Sequence, residues 1–349
     1  MKTEEYENWL RKHTGPIILD GGQATELERL GADLSIGSLW SARLIQANPL
    51  LLRRVTRSYL EAGADIVCSF TYQATVSKIV SECEESEVRA REIFKIGISI
   101  ARTERDLFCS EANRTDKPQS LVAASLGSYG AFLADGAEYT GKYKLSEREL
   151  RLFHLSRVEL SIEAKADVLM FETVPNASEA NALVAMMTSE IALYKTPFFL
   201  SFYVKEEQKL PCGADLYRTV SKLVRANIPS RNLRALGLNC VHPSTGSKGI
   251  VMIRQAINDC WESMKPSERW SIRTIYYPNS GECWEKGRGW GSEHLIPEEK
   301  SWAESVLQSV EGPSIVGGCC RTTPNHIRAL SSCDIQNSTV HRTSFPTGF

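Results

Sequence analysis

No apolar run in this 349-residue chain approaches the roughly 18 residues needed to span a bilayer. The opening stretch, Met1 to Leu10, is acidic and lacks the apolar core of a signal peptide. A soluble, cytoplasmic protein is therefore expected, and the sequons at Asn113, Asn176 and Asn337 should stay unmodified. Charge of one sign is also missing. The 41 basic and 42 acidic residues leave a formal charge of -1 with no long block of like sign, which argues against nucleic acid or an anionic membrane as the main partner. The ten cysteines form no framework and contain no C-x-x-C pair, so a thiol-disulfide oxidoreductase is disfavoured and most thiols should be free, small apolar fillers. The turn Asp20-Gly21-Gly22-Gln23-Ala24-Thr25 does not match the dinucleotide fingerprint G-x-G-x-x-G. No linker rich in Pro, Gly or Ser divides the chain.

What is present is a regular alternation of short apolar runs and helical segments, without repeated sequence. Strands are predicted at 16–20, 65–72, 121–128, 167–173, 197–203, 233–240, 271–278 and 314–320. Helical periodicity falls between them, at about 49–62, 84–104, 146–165, 178–193, 215–226, 249–261 and 302–310, after a short amphipathic segment at 6–12. Eight strand candidates, each followed by a helical one, suit a parallel sheet covered by helices. The fold expected is α/β, a single (β/α)8 TIM barrel over residues 1–330, with a polar C-terminal tail at 331–349. A doubly wound sheet is the runner-up.

In a barrel the C-terminal ends of the strands share one cavity. Those ends here carry Asp20, Ser69, Ser128, Glu172, Tyr203, Cys240, Pro278 with Asn279, and Cys319 with Cys320. Neighbouring cysteines rarely bond each other, so the pair in Gly317-Gly318-Cys319-Cys320 suggests ligation of a soft metal. Cys240 completes the three ligands of a catalytic zinc site with one position open. The helix starting near Thr322 should favour the thiolate form of the pair. Alternatives stay open: small buried residues at a tight turn, or a closed site with His242 as fourth ligand. Asp20 and Glu172 end apolar runs, where a buried carboxylate needs a cation, such as a substrate ammonium, or else a helix to cap or an arginine to pair with. The loops Asn279 to Gly291 and Gly127 to Gly136 are rich in glycine and aromatics, as expected of a lid or a wall for a cationic group, or of plain surface.

Four motifs, Asp20-Gly21-Gly22, Phe171-Glu172-Thr173, Gly237-Leu238-Asn239-Cys240 and Gly317-Gly318-Cys319-Cys320, together resemble the homocysteine S-methyltransferase family. The resemblance runs from about Pro16 to Leu330. Gly127 to Ala131 and Tyr277 to Glu282 look more like the branch that uses S-methylmethionine or S-adenosylmethionine than the betaine-using branch. It implies a barrel with Zn2+ on Cys240, Cys319 and Cys320, the homocysteine sulfur taking the open position. It further implies that Asp20 and Glu172 hold the substrate amino group, that Gly21 and Ser69 lie near its carboxylate, and that Asn239 shapes the site beside Cys240. The long C-terminal extension of the betaine-using relatives is missing, so a monomer is expected. A zinc- or redox-sensing thiol protein without methyl transfer is the alternative.

Overall fold

The computed structural model describes residues 1–333 apart from 14, 36, 112–117, 207, 286–288 and 292–296. Its strands are β1 (Ile17–Ile18), β2 (Ile66–Cys68), β3 (Leu121–Gly127), β4 (Val168–Val174), β5 (Phe198–Phe202), β6 (Leu233–Asn239), β7 (Arg273–Tyr277), a hairpin of β8 (Cys283–Glu285) and β9 (Gly289–Gly291), and β10 (Ser314–Val316). All except the hairpin join one parallel eight-stranded sheet in the order β1-β10-β7-β6-β5-β4-β3-β2. The outer strands meet through the parallel bridge Leu19 to Ile66, with Asp65 N–H donating to the Ile18 carbonyl at 2.7 Å and Asp20 N–H to the Ile66 carbonyl at 3.0 Å. The expected (β/α)8 barrel is therefore what forms.

A strand's side chains point alternately to its two faces, and that period of two sorts the core into layers. Ile17, Leu19, Ile66, Cys68, Ala123, Met170, Phe199, Ala235, Ile275 and Ile315 pack together in one cluster, inside the barrel. Their neighbours Ile18, Val67, Ala124, Leu169, Phe171, Leu200, Leu236 and Val316 pack in a second, against the helices. The helix Leu216–Ala226 shows how the outer layer is made: Leu216, Val220, Leu223 and Val224 form one buried stripe, and the Asp215 side chain caps it by accepting from Arg218 N–H at 2.8 Å.

The segment expected at 6–12 has a definite task. As the helix Thr3–Leu10 it plugs the N-terminal end of the barrel, placing Tyr6, Trp9 and Leu10 in the inner cluster, with Tyr6 edge-on to Phe199 at 5.8 Å between centroids.

Three expectations shift. The helix expected at 84–104 starts and ends later, as Glu87–Glu111, and a further helix, Val76–Cys83, precedes it, closed at Glu84, which takes a left-handed φ of 54°. The helix at 249–261 starts earlier, at Pro243, because proline suits a first helical position. Part of the 279–291 loop is the hairpin β8–β9, in which Trp284 stands opposite Trp290. The last helix runs from Pro324 to Ser332, and the rest of the proposed tail, 334–349, lies outside the described residues.

Candidate active site and metal centre

The alternation that fills the barrel with apolar side chains continues to the strand ends, where the inward residues turn polar. Ser125, Glu172, Ser201, Asn239 and Tyr277 each follow an inner-layer residue by two or four positions, and all are buried. They form a continuous chain of hydrogen bonds. Ser125 Oγ donates to Glu172 Oε1 at 2.5 Å, and Tyr277 Oη lies 3.1 Å from Glu172 Oε2 and 2.5 Å from Ser201 Oγ. Ser201 Oγ donates to Asn239 Oδ1 at 2.8 Å. Asn239 Oδ1 also accepts from Thr173 N–H at 2.8 Å, and its Nδ2 donates to Thr173 Oγ1 at 2.8 Å and faces Cys319 Sγ at 3.9 Å. Burial pushes the Glu172 carboxyl up to about 7 against the pull of the Ser125 and Tyr277 hydroxyls, which both donate to it.

Asp20 sits beyond the end of β1. Its Oδ2 accepts from Cys68 N–H at 2.8 Å and Gln23 Nε2 at 3.2 Å, yet burial still raises the carboxyl to about 6. No ion pair to Asp20 or Glu172 occurs among the described residues. Two buried carboxylates without a cation are costly, and a cationic ligand removes that cost.

The three sulfurs expected to hold metal converge. Cys240 follows β6, Cys319 and Cys320 follow β10, and their sulfurs all lie within 4.8 Å of one another. The Cys240 and Cys319 sulfurs lie against each other, with Cα atoms 5.4 Å apart, and Cys320 Sγ stands 3.8 Å from Cys240 Sγ. Thiolates that share one cation through bonds of about 2.3 Å stand roughly 3.8 Å apart, the separation Cys320 keeps from Cys240. Reduced, the set is a fit for a soft cation, with three thiolate donors at the rim and carboxylates beyond. Without a cation, burial pushes the Cys320 thiol up to about 12. His242 is not a fourth donor: it caps the helix Pro243–Glu262, its Nδ1 2.7 Å from Ser244 Oγ, and the metal-competent group found among the described residues is the three cysteines.

One cavity gathers these groups. Asp20, Gly21, Cys68, Glu172, Asn239, Cys240, Cys319 and Cys320 line it, together with Gln23, Trp40, Tyr72, Gln73, Glu138, Tyr139, Thr173 and Tyr277. Of the strand-end residues expected at the mouth, Ser128, Tyr203, Pro278, Asn279 and Ser69 do not line it: Ser128 caps the helix Tyr129–Leu133, Asn279 donates to the Cys240 carbonyl at 3.2 Å, and Ser69 faces away. That side chain is fully buried, its Oγ 2.6 Å from Thr71 Oγ1 and accepting from Ser125 N–H at 3.0 Å, so it braces β3 instead. Gly22 permits the close turn beside the metal site, because a Cβ there would lie 2.5 Å from the Cys319 carbonyl oxygen. A wider groove on the outer face, of about 650 Å3, is lined by Arg29, Arg53 and Arg57, which already pair with Glu26 and Glu104. It brings together no thiol or metal donor set.

Residues 17–333 match the family model described as homocysteine S-methyltransferase. The chain belongs to that family. It is 37% identical over 327 residues to homocysteine S-methyltransferase YbgG of Bacillus subtilis, covering 90% of this chain and 93% of that protein. The homocysteine methyltransferase MmuM of Escherichia coli shares the fold in its metallated form, with a TM-score of 0.74 and 30% identity over 92% of this chain and 97% of that one. Its oxidized form gives 0.76 and 31% over 93% and 97%. Sequence reasoning placed the cysteines, Asp20, Glu172 and Asn239 at the mouth that the family shares. It missed Tyr277, Ser201 and Ser125, which the period of two, carried to the end of each strand, would have found.

Proposed function

We propose that this chain transfers a methyl group from a sulfonium donor, S-methylmethionine or S-adenosylmethionine, to the sulfur of homocysteine, giving methionine. The observation that carries the reading is the convergence of three cysteine sulfurs within 4.8 Å in a cavity that also holds two buried, cation-free carboxylates. On this reading Cys240, Cys319 and Cys320 hold Zn2+, which when bound keeps an acceptor thiol ionised at neutral pH. Asp20 and Glu172 bind the homocysteine ammonium, and Tyr277 holds Glu172 by donating to its Oε2. Gly21 offers backbone near the substrate carboxylate, and Ser69 acts only through β3. Asn239 fixes Thr173 and faces Cys319, so the strand end stays in register with the cysteines. The cavity at the barrel mouth holds acceptor and donor in line, which is the chain's main contribution to the rate.

We place the enzyme in the cytoplasm as a monomer. Among the described residues no helix is long and apolar enough to cross a membrane. The test is methyl transfer to homocysteine by reduced protein with each donor, before and after chelation. Activity should disappear on chelation and return with Zn2+; full activity in metal-free protein would sink the mechanism, and no activity with either donor would sink the assignment.

A further inference from the structure

A third carboxylate faces this cavity. Glu138 lies on the single turn Ala137–Tyr139, beyond the helix Tyr129–Leu133, and is 4% exposed. Its Oε2 is buried with no hydrogen-bond partner, and no ion pair reaches it among the described residues. Burial pushes the carboxyl up to about 7. Lys78, the cation whose charge it feels most, is turned elsewhere: its Nζ donates to the Ser38 carbonyl at 3.3 Å and lies 5.0 Å from the Phe132 ring centroid. Tyr72, which feels the charge of both Glu138 and Glu172, lines the cavity with both.

The turn is not a loose loop. Glu179, fully buried, accepts from Tyr129 N–H at 2.7 Å, lies 2.7 Å from His154 Nε2 and bonds the Tyr143 hydroxyl, pinning both ends of the segment that carries Glu138. Arg157 ties the neighbouring wall by donating to the carbonyls of Gly127 at 2.7 Å and Tyr72 at 2.8 Å. A carboxylate held this firmly, with one buried oxygen left without a donor, is built for a ligand that brings one.

We propose that Glu138 is a specificity residue for the methyl donor and receives its α-ammonium group, while Asp20 and Glu172 serve the acceptor. The inference rests on the sulfonium-donor reading above. The choice of the ammonium over the sulfonium follows from the unpartnered oxygen. A sulfonium centre offers positive charge but no acidic hydrogen, whereas an ammonium offers both.

The experiment compares S-methylmethionine with its deaminated analogue, 4-(dimethylsulfonio)butanoate, as donors for the zinc-loaded wild type and Glu138→Gln. Loss of one charge-assisted hydrogen bond predicts a KM for S-methylmethionine raised about ten-fold or more in the variant. The KM values for the analogue and for homocysteine should stay within about two-fold. An unchanged KM for S-methylmethionine, an equal loss on the analogue, or a loss confined to homocysteine overturns the assignment. Should that variant fail to fold, Glu138→Asp takes its place, with the rise in KM again expected for S-methylmethionine and not for the analogue, and equal use of the two donors by the wild type also overturns the assignment. Wild-type protein that methylates homocysteine from neither donor would instead refute the underlying reading.

Discussion

Asn239→Ala tests the hydrogen-bond chain at the barrel mouth at its most connected point. The Asn239 side chain makes three bonds shorter than 3 Å, accepting from Thr173 N–H and Ser201 Oγ and donating to Thr173 Oγ1, each at 2.8 Å. Ser201 retains Tyr277 as a partner at 2.5 Å, so its loss is small. Thr173 is fully buried with φ at 56°, and the two bonds from Asn239 hold it there. Leaving its N–H unpaired costs about 1–3 kcal/mol, and a net hydrogen bond lost from Oγ1 adds about 1 kcal/mol. The expected destabilisation is therefore about 2–4 kcal/mol, read from urea unfolding under reducing conditions by tryptophan fluorescence. Glu172 precedes Thr173, so the same change should also raise the homocysteine KM. A destabilisation under about 0.5 kcal/mol, the ordinary level for a surface substitution, would refute the claim that Asn239 fixes Thr173.

Glu172→Gln should raise the homocysteine KM by about ten-fold or more while zinc content, measured by emission spectrometry, stays at the wild-type value. An unchanged KM would remove Glu172 from the ammonium site. Gly237→Ala should lower stability by about 1–3 kcal/mol, because the new methyl group is driven into the Ile275 carbonyl of β7, backbone that cannot rotate away. Thermal melting checks it, and a wild-type midpoint would mean that β6 and β7 separate there at no cost.

The parts of the molecule legible in the sequence are those governed by short-range rules. Apolar runs ended by Gly, Asn or charge located every barrel strand, and strand ends placed Asp20, Glu172, Cys240 and the Cys319–Cys320 pair around one mouth. Ser69 shows where the rule needs refinement. Strand β2 ends at Cys68, which belongs with Ile66 to the inner cluster, so Ser69 falls on the other face by alternation. The helix Val76–Cys83 was missed because neither Gly nor Pro marks its end and the left-handed residue that closes it is Glu84. Glu138 was invisible for a different reason. It lies on a turn well past the end of β3, held by Glu179 from the helix Ala177–Ser189, and no local pattern reports a contact between segments some forty residues apart.

Alternation has a further consequence that the mouth of this barrel evades. A strand can aim only every second residue inward, yet Glu172 with Thr173, Asn239 with Cys240, and Cys319 with Cys320 each line the cavity as consecutive pairs. At all three places a non-glycine residue adopts the left-handed conformation: Thr173 at φ 56°, Cys240 at 54° and Arg321 at 65°. At Thr173 and Cys240 the left-handed residue is itself the second of the pair, so the kink turns it to the cavity beside its inward-facing neighbour, while Arg321 follows directly on its pair. Such conformations cost about 1–3 kcal/mol apiece and persist only where the surroundings over-determine them. Here the surroundings are identifiable. Asn239 grips Thr173 on both sides, Cys240 N–H donates to the Tyr277 carbonyl at 3.3 Å, and Arg321 N–H donates to Thr25 Oγ1 at 2.8 Å while its guanidinium pairs with Glu282. The rigid barrel below thus supports strained strand ends that double the number of side chains it can bring to one point, and the metal-competent cysteine set is assembled at two of them.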